Sequence, residues 1–406
     1  MLAHGRLPFW SVVAAALVIS LVLAVGTLPR AALAAPTYTV TDGADTTAGK
    51  SCAVGSPTCT LRLAVQTANG NPGSTINVSS GLVIAFAPAG AQIDLSTAMT
   101  IQTTGVGNAT IDGTNAVLGV LNVNSPSPVT ISGLNIQNSS NITGGGAITT
   151  SVGTGLTLNN LTLAGNKCIG LGSGGAINNN GSLGLHNVSV TNNGATCLDG
   201  GGIFTSGPLV MQGGSVTGNT AATNGGGIYV NSGAGNSLTA TETSITNNTA
   251  GQNGGGIYAT GPVTLTRANL SNNTATLGGG AGMFVTAATA SLADSTVNGN
   301  QSTGSGGGLA VISSQLTVSR GTFSTNRSHA GALTGLGGGI FMNSSSGLLT
   351  NSTLAGNSAD SGGGLYTGSS SLSVNSATIA GNSAPTGAGV FVAATSSLGL
   401  HNTILA

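Results

Sequence analysis

The chain has 406 residues, of which 69 are glycine and only 8 are Lys or Arg and 8 Asp or Glu, so its formal net charge is zero. So few charges exclude an ordinary globular surface of dense mixed charge, and the lack of a basic excess excludes the electrostatic footprint of a nucleic-acid-binding protein. Because 39% of the residues are apolar, the composition does not indicate disorder, and we expect the chain to fold.

The N-terminus predicts a signal peptide over residues 1–34. His4 and Arg6 precede an apolar stretch over residues 9–28, and small residues follow it, so we expect cleavage after Ala34. The alternative is an uncleaved membrane anchor, because the stretch approaches the roughly 20 residues that span a bilayer. No second stretch of this kind follows in the sequence. We therefore expect a secreted or cell-surface protein, the outer membrane included, with no membrane span after cleavage.

Residues 35–91 predict an N-terminal cap region. A strand is expected at 38–41, and Thr60 is placed to cap a short helix that Gly70 closes. Such a helix would cover the open strand edges of the first coil of a stacked structure. Irregular coils over 92–138 would lead into the regular part, so the third predicted segment is 92–406.

The regular part is an internal repeat of about 27 residues, which is the length of one supersecondary unit. Tripeptides similar to Gly-Gly-Ile end at Ile148, Ile177, Ile203, Ile228, Ile257, Met283, Leu309, Ile340, Leu365 and Val390. Each unit also has an apolar residue three positions before an asparagine. These asparagines are Asn166, Asn193, Asn219, Asn248, Asn273, Asn300, Asn326, Asn357 and Asn382.

Each unit predicts three short strands joined by turns rich in Gly, Asn and Ser. One strand lies at the Gly-Gly-Ile segment, one at an apolar pair with period two such as Leu183 and Leu185, and one leads to the asparagine. A single unit cannot bury its apolar face, but stacked units pair every strand with its copies above and below. The fold class is therefore all-β, a parallel β-helix (solenoid) of about ten or more coils with a short capping helix.

The aligned asparagines predict a ladder in which each side-chain amide hydrogen-bonds to the next one along the axis. Asparagine also tolerates the left-handed backbone that a tight corner needs, so we expect these residues themselves to form the corners. The last unit, from Leu398, stops two residues before its asparagine is due. We expect this incomplete coil to reflect a truncated product or an end that a partner covers.

The units resemble the repeats of the polymorphic outer membrane proteins of chlamydiae, whose hallmarks are Gly-Gly-Ala-Ile and Phe-x-x-Asn. The first motif stands at residues 174–177 and the second at residues 323–326. Residues 59–64, Cys-Thr-Leu-Arg-Leu-Ala, are similar to the Cys-Ser-Leu-Arg-Glu-Ala (CSLREA) motif of bacterial β-helix surface proteins, with Thr and Leu replacing Ser and Glu. The resemblance implies a right-handed, pectin-lyase-like β-helix, an exported location and adhesion rather than catalysis.

The four cysteines predict two disulfides, because the chain is expected to leave the cytoplasm. Cys52 and Cys59 are close in sequence before the capping helix. Cys168 and Cys197 fall in the same loop of consecutive coils, so stacking would bring them together. Four free buried thiols are the alternative if the protein stays reduced.

One column, six positions before each asparagine, carries alternating charge at Glu242, Arg267, Asp294 and Arg320. Unpaired buried charge is costly, so we expect this column to lie at a solvent-exposed corner as a structural ladder of opposite charges. The competing hypothesis is a catalytic row of a polysaccharide lyase or glycosidase.

Two smaller groups complete the candidates. Lys167 and Asp199 are predicted to meet as a surface ion pair, since their loops stack. Asp42 and Asp45 could bind a cation, although they lack the spacing of a known calcium loop. We expect no cofactor, no metal centre and no catalytic residues.

Three function classes follow. The favoured one is a structural, adhesive or glycan-binding surface solenoid whose partners are surface glycans or proteins of a host or neighbouring cell. The second is a polysaccharide lyase or glycoside hydrolase, which would need clustered carboxylates with a basic residue. The third, an ice or crystal binder, would need long threonine columns. Thr157, Thr239 and Thr264 begin such a column, but Gly184 and Ser373 interrupt it.

Overall fold

The computed structural model describes residues 34–87, 90–194, 196–329 and 335–406. The predicted signal peptide lies outside these ranges except for Ala34. Within them, one short helix accompanies short parallel strands that stack into long sheets. The predicted all-β parallel β-helix is therefore confirmed.

Three sheets, here called A, B and C, take one strand each from successive coils in that order along the chain. Sheet A holds twelve strands, of which the last ten lie at the Gly-Gly-Ile segments: Ile93–Leu95, Leu121–Val123, Ile148–Thr150, Ile177–Asn179, Ile203–Thr205, Ile228–Val230, Ile257–Ala259, Met283–Thr286, Leu309–Ile312, Ile340–Asn343, Leu365–Gly368 and Val390–Val392. Sheet B holds fourteen strands with the apolar pair: Thr37–Val40, Ser74–Ser79, Met99–Thr104, Val129–Ser132, Gly155–Asn159, Ser182–His186, Pro208–Gln212, Ser237–Thr241, Val263–Thr266, Thr289–Ala293, Gln315–Ser319, Ser346–Thr350, Ser371–Asn375 and Ser397–His401. Sheet C holds thirteen strands, of which the nine from Thr162–Ala164 to Thr378–Ala380 lead to a ladder asparagine: Val83–Ala85, Ala109–Asp112, Leu134–Gln137, Thr162–Ala164, Ser189–Thr191, Ser215–Thr217, Ser244–Thr246, Asn269–Ser271, Thr296–Asn298, Thr322–Ser324, Thr353–Ala355, Thr378–Ala380 and Ile404–Leu405.

A fourth, shorter element follows the asparagine in the central coils, where the sequence reasoning expected only a turn. Sheet D has five two-residue strands: Thr220–Ala221, Thr249–Ala250, Thr274–Ala275, Gln301–Ser302 and Arg327–Ser328. Ser140–Asn141 and Lys167–Cys168 form a separate two-stranded sheet. The short strands give each central coil a fourth side before the glycine-rich turn returns the chain to sheet A.

Alternation along each strand sends one set of side chains into a single core that runs through the coils. In the strand Pro208–Gln212, Leu209 and Met211 are buried while the residues between and beside them are exposed. The register repeats from coil to coil, so Leu209 lies between Leu183 and Leu238. The core is thus a stack of equivalent rows, as the repeat predicts.

The helix predicted in the cap region is present as α1, Leu61–Asn69. The Thr60 hydroxyl accepts a hydrogen bond from the Leu63 amide at 3.4 Å, and Gly70 follows the last turn. However, Thr37–Val40 pairs in register with Ser74–Ser79, which in turn pairs with Met99–Thr104. The division drawn between residues 91 and 92 therefore separates strands that belong to the same sheets.

The asparagine ladder forms in the interior of the stack. Asn273 donates from Nδ2 to Asn300 Oδ1 at 3.0 Å and to the Ile245 carbonyl at 2.9 Å. Its Oδ1 accepts from both the backbone N and Nδ2 of Asn248, each at 3.0 Å. Each amide thus satisfies a neighbouring backbone as well as a neighbouring side chain, which is why it can be fully buried.

The left-handed corner is not at the ladder asparagine, contrary to the expectation. The residue just before it takes that conformation, for example Asn247 with φ 56° and Asn272 with φ 54°. Because the exposed neighbour takes the left-handed conformation, Asn248 and Asn273 themselves have no positive φ and their side chains are buried.

Candidate functional site

The two predicted cysteine pairs are both bonded. Cys52 and Cys59 are joined within the loop before α1, at a sequence separation of 7. Cys168 and Cys197 join consecutive coils, at a sequence separation of 29. No cysteine within the described ranges is free. These residues therefore hold the chain together and offer no thiol for chemistry.

The charged column lies at an exposed corner between sheets B and C. Arg267 Nη2 is 2.8 Å from Glu242 Oε1, and Arg320 Nη2 donates to Asp294 Oδ2 at 2.7 Å. The Arg320 hydrogen bond lowers the pKa of Asp294 below its usual value. All four residues have a left-handed backbone, with φ between 49° and 56°. The column is two exposed ion pairs on a tight corner, a geometry that fixes register and contributes little free energy.

The two smaller groups differ from the expectation. Lys167 and Asp199 do not pair within the described residues; Asp199 instead accepts from the Asn224 backbone N at 3.0 Å. Asp42 lies 2.6 Å from Lys50 Nζ, and Asp45 accepts from Arg62 Nε at 2.7 Å. These two carboxylates are thus paired with cationic side chains and do not face each other as a joint ligand pair. Across the described ranges, no cluster of three or more His, Cys, Asp or Glu side chains could hold a metal ion.

The feature that the sequence reasoning missed is a column of aromatic side chains on the outer face of sheet A. Each follows the Ile-like residue of the Gly-Gly-Ile tripeptide and occupies the half-buried second position of its strand. The aromatic column comprises Phe204, Tyr229, Tyr258, Phe284, Phe341, Tyr366 and Phe391. The signal was available, because the same position in consecutive repeats is aromatic in seven of eight coils from Phe204 onward.

The rings form two stacks. Phe204, Tyr229, Tyr258 and Phe284 have successive centroids 5.1, 5.0 and 5.3 Å apart. Three further rings, Phe341, Tyr366 and Phe391, have centroids 5.5 and 5.0 Å apart. Ala310 occupies the same position in the coil between the stacks. The spacing follows directly from the distance between paired strands, so strand register determines the stacking.

A row of polar side chains, here called the polar row, runs along the glycine-rich turn beside the first stack. It consists of Asp199, Asn224 and Asn253, each five residues before an aromatic residue. Asn253 Nδ2 donates to Asn224 Oδ1 at 3.2 Å, and Asn224 in turn donates to Asp199. The turn needs glycine: Gly225 has φ 64°, and a Cβ on Gly226 would lie 2.4 Å from the Thr249 carbonyl oxygen.

Burial raises the pKa of Tyr229 to about 12, and the negative charge of Asp199 and the neighbouring Tyr258 add to the shift. The pKa of Tyr258 is raised for the same first two reasons. Both phenols therefore stay protonated and keep an O–H donor at neutral pH. The face combines an apolar strip with hydroxyl, amide and carboxylate groups beside it, which is the composition typical of sites for amphipathic ligands.

The threonine column on sheet B is interrupted, as the sequence indicates. Thr239 and Thr264 are adjacent in register, but Val210 precedes them and Ser291 follows. An ice-binding face would need an unbroken column, so sheet B does not provide one.

Comparison with known proteins agrees with this architecture. A family model described as a right-handed β-helix region matches residues 255–405, and the Chlamydia polymorphic membrane protein repeat matches residues 242–260. No curated protein matches the sequence.

Solved structures with a similar course of the backbone include the A-module of mannuronan C-5 epimerase AlgE6 from Azotobacter vinelandii. It is 11% identical, with 85% of this chain and 94% of that one covered and a TM-score of 0.43. Tailspike protein 3 of bacteriophage CBA120 is 13% identical, with 87% of this chain and 58% of that one covered and a TM-score of 0.45. At these values the likeness does not extend to ligand or activity.

Within the described residues, no helix is both long and apolar enough to cross a membrane. The repeat match and the stacked parallel coils agree with each other and with the motifs at residues 174–177 and 323–326. Together they show that the chain is a right-handed parallel β-helix whose repeats are similar to those of the Chlamydia polymorphic membrane proteins.

Proposed function

We propose that this protein is an exported, non-catalytic β-helix that binds extended glycans along the aromatic column of sheet A. The observation that carries the proposal is the column itself, seven rings on one outer face with the polar row beside its first stack. Sugar rings are apolar on their C–H faces and polar at their hydroxyl edges. An apolar strip flanked by amides, phenols and a carboxylate is complementary to both parts.

The length of the column favours a polymer over a single sugar. A polysaccharide presents the same ring repeatedly, and the column presents nearly the same side chain once per coil. Several weak contacts along one chain then add through effective concentration. The ion pairs at the corner between sheets B and C belong to another side of the coil, so they serve register rather than binding in this proposal.

The test is a glycan array with the purified chain, with and without calcium, read for retention and for new unsaturated or reducing sugar ends. Tyr258→Ser opens a gap in the first stack, and we expect retention to fall by about tenfold. Tyr258→Phe keeps the ring and is the matched control, with retention close to that of the parent chain. Circular dichroism establishes that both variants are folded.

A second control is the charged corner. Replacing Glu242 and Arg267 by glutamine should alter stability slightly and leave retention unchanged, because this exposed pair lies away from the aromatic column. Equal retention by Tyr258→Ser and the parent chain would show that the column is only structural. Product formation that depends on Glu242 or Arg267 would instead assign the protein to the polysaccharide-degrading class.

A further inference from the structure

A second candidate site lies on sheet D, in a cleft of about 300 Å³ lined by three consecutive coils. The register places Thr274, Gln301 and Arg327 above one another on the outer side of this sheet. Two residues further along each coil, Thr276, Thr303 and His329 line the same cleft. Six polar or basic side chains thus converge on a surface that no disulfide, ladder or aromatic stack uses.

Arg327 has no carboxylate partner. All eight Asp and Glu side chains of the protein belong to the described residues, and none of their oxygens lies within 4.0 Å of its guanidinium group. Of the five other arginines, Arg62, Arg267 and Arg320 are in ion pairs, and Arg6 and Arg30 lie outside the described residues. In a protein with so few charges, an exposed and unpaired arginine beside a cleft is an available anion ligand.

The side chains around Arg327 leave hydrogen-bond donors free for a ligand, while the one nearby carboxylate is already engaged. The Asp360 carboxylate accepts from His329 Nδ1 at 3.1 Å and from the Gly335 backbone N at 2.7 Å. Both oxygens of Asp360 are therefore engaged, and the imidazole is oriented with Nδ1 toward Asp360. Within the described part of the chain, the Gln301 amide and the Thr274 hydroxyl have no hydrogen-bond partner, so both can donate to a ligand.

We propose that this cleft binds an oxyanion carried by an acidic polysaccharide, the carboxylate of a uronic acid or a sulfate ester. The planar guanidinium group of Arg327 would hold two oxygens of the anion side by side, and Gln301 and Thr274 would bind the neighbouring sugar hydroxyls. The choice of a saccharide rests on the proposed function, whereas the anion site rests on Arg327 and its surroundings alone.

Isothermal titration calorimetry on the purified chain tests the site with three oligomers: galacturonate, sulfated dextran and neutral dextran. We expect at least one acidic oligomer to bind, with affinity that falls as salt is raised. Arg327→Gln removes the charge and keeps a polar side chain, so the acidic oligomer should bind about tenfold more weakly. Arg327→Lys keeps the charge but loses the two parallel N–H donors of the guanidinium group, so its affinity for the acidic oligomer should be intermediate.

Arg267→Gln is the matched control, because it removes another exposed arginine from a different face and should leave acidic binding unchanged. Preference for galacturonate identifies the carboxylate, and preference for sulfated dextran identifies the sulfate. Failure of both acidic oligomers to bind, or equal weakening by Arg267→Gln, overturns the proposal. Binding of neutral dextran that Tyr258→Ser removes and Arg327→Gln does not would belong to the aromatic column, so the two proposals fail separately.

Discussion

The interior of this β-helix depends on one amide per coil. From Asn166 to Asn357, each ladder asparagine is buried and uses its two amide hydrogens and its oxygen on groups in the coils above and below. No apolar residue could replace those bonds, and a longer glutamine would displace both partners. The ladder is therefore a position where a small change should have a large effect.

Asn273→Ala removes both donors and the acceptor at the centre of the ladder. The Asn248 backbone N–H, one Nδ2 hydrogen of Asn248 and the Ile245 carbonyl would lose their bonds to this side chain in the buried interior, so we expect the free energy of unfolding to fall by about 3 kcal/mol. Urea denaturation followed by circular dichroism measures it.

The control is the adjacent exposed residue. Asn272→Gly keeps a left-handed position that glycine adopts at no steric cost, so its unfolding midpoint should lie close to that of the parent chain. An Asn273→Ala protein as stable as Asn272→Gly would show that the ladder bonds contribute no net stability.

Sequence reasoning located the ladder because asparagine recurs at one register position, but it assigned the wrong residue to the corner. The preceding position is Gly or Asn in eight of the nine units and Thr325 in the other, and it has positive φ in all nine. Gly and Asn reach the left-handed region at the least steric cost, so the corner had a compositional signal of its own. Because several units have asparagine at both positions, as at Asn247 and Asn248, the two roles are hard to separate from one sequence.

At the scale of the strand, sheet A shows what register does to side chains. A three-residue strand has one outward position, and stacking turns that position into a continuous column. The polar residues Asp94, Asn122, Thr149 and Asn178 occupy it before the aromatic column begins at Phe204. The column thus changes from polar to aromatic partway along the protein, with no change in the backbone.

The tyrosines of this column should make stability depend on alkaline pH. The pKa of Tyr229 is about 12 in the folded protein, above the value of 10.0 for an unperturbed tyrosine. The folded state therefore binds its proton more tightly, so this contribution to stability is complete below pH 10 and is lost as the pH approaches 12. Urea denaturation at a series of pH values measures the decline.

Tyr229→Phe removes the titrating group and should reduce the slope over that interval while preserving the stack. Asp199→Asn should also reduce it, because its negative charge is one cause of the shift. If both variants follow the parent curve, the alkaline transition arises elsewhere.

The aromatic column could have been predicted from the sequence, since Tyr229, Tyr258 and Phe284 each directly follow the Ile-like residue of a Gly-Gly-Ile tripeptide. The cleft at Arg327 could not, because the Thr-Ala dipeptide that recurs in the first three strands of sheet D gives way to Gln301–Ser302 and Arg327–Ser328 where the cleft lies. Thr274, Gln301 and Arg327 share neither charge nor size. Only the observed register brings them together.

Because the coils are equivalent, the free energy of unfolding of the whole molecule is nearly a sum of one contribution from each coil and one from each interface between neighbouring coils. Deleting residues 249–300 removes two complete coils and joins Asn248 to Gln301, which directly follows the ladder asparagine Asn300 in the parent chain. It also places Glu242 next to Arg320, so the corner keeps opposite charges. We expect a folded protein with a smaller denaturant dependence of the unfolding free energy, because less surface is exposed on unfolding.

The matched control deletes residues 249–260, about half of one coil. Every later strand would then meet the wrong partner, and apolar rows would lie against polar ones. Circular dichroism and limited proteolysis distinguish the two. A half-coil deletion as protease-resistant as the two-coil deletion would contradict the requirement for whole units.

The asparagine ladder also has a consequence for how the number of coils can change in evolution. Each ladder asparagine donates to the asparagine of one neighbouring coil and accepts from that of the other. A whole coil can therefore be duplicated or lost in the gene without leaving an unpaired donor or acceptor. Unequal recombination between repeats then changes the length of the β-helix in steps of about 4.8 Å. An exchange that does not comprise a whole number of coils gives a protein that misfolds and is lost. Length becomes a trait that selection can adjust independently of the fold.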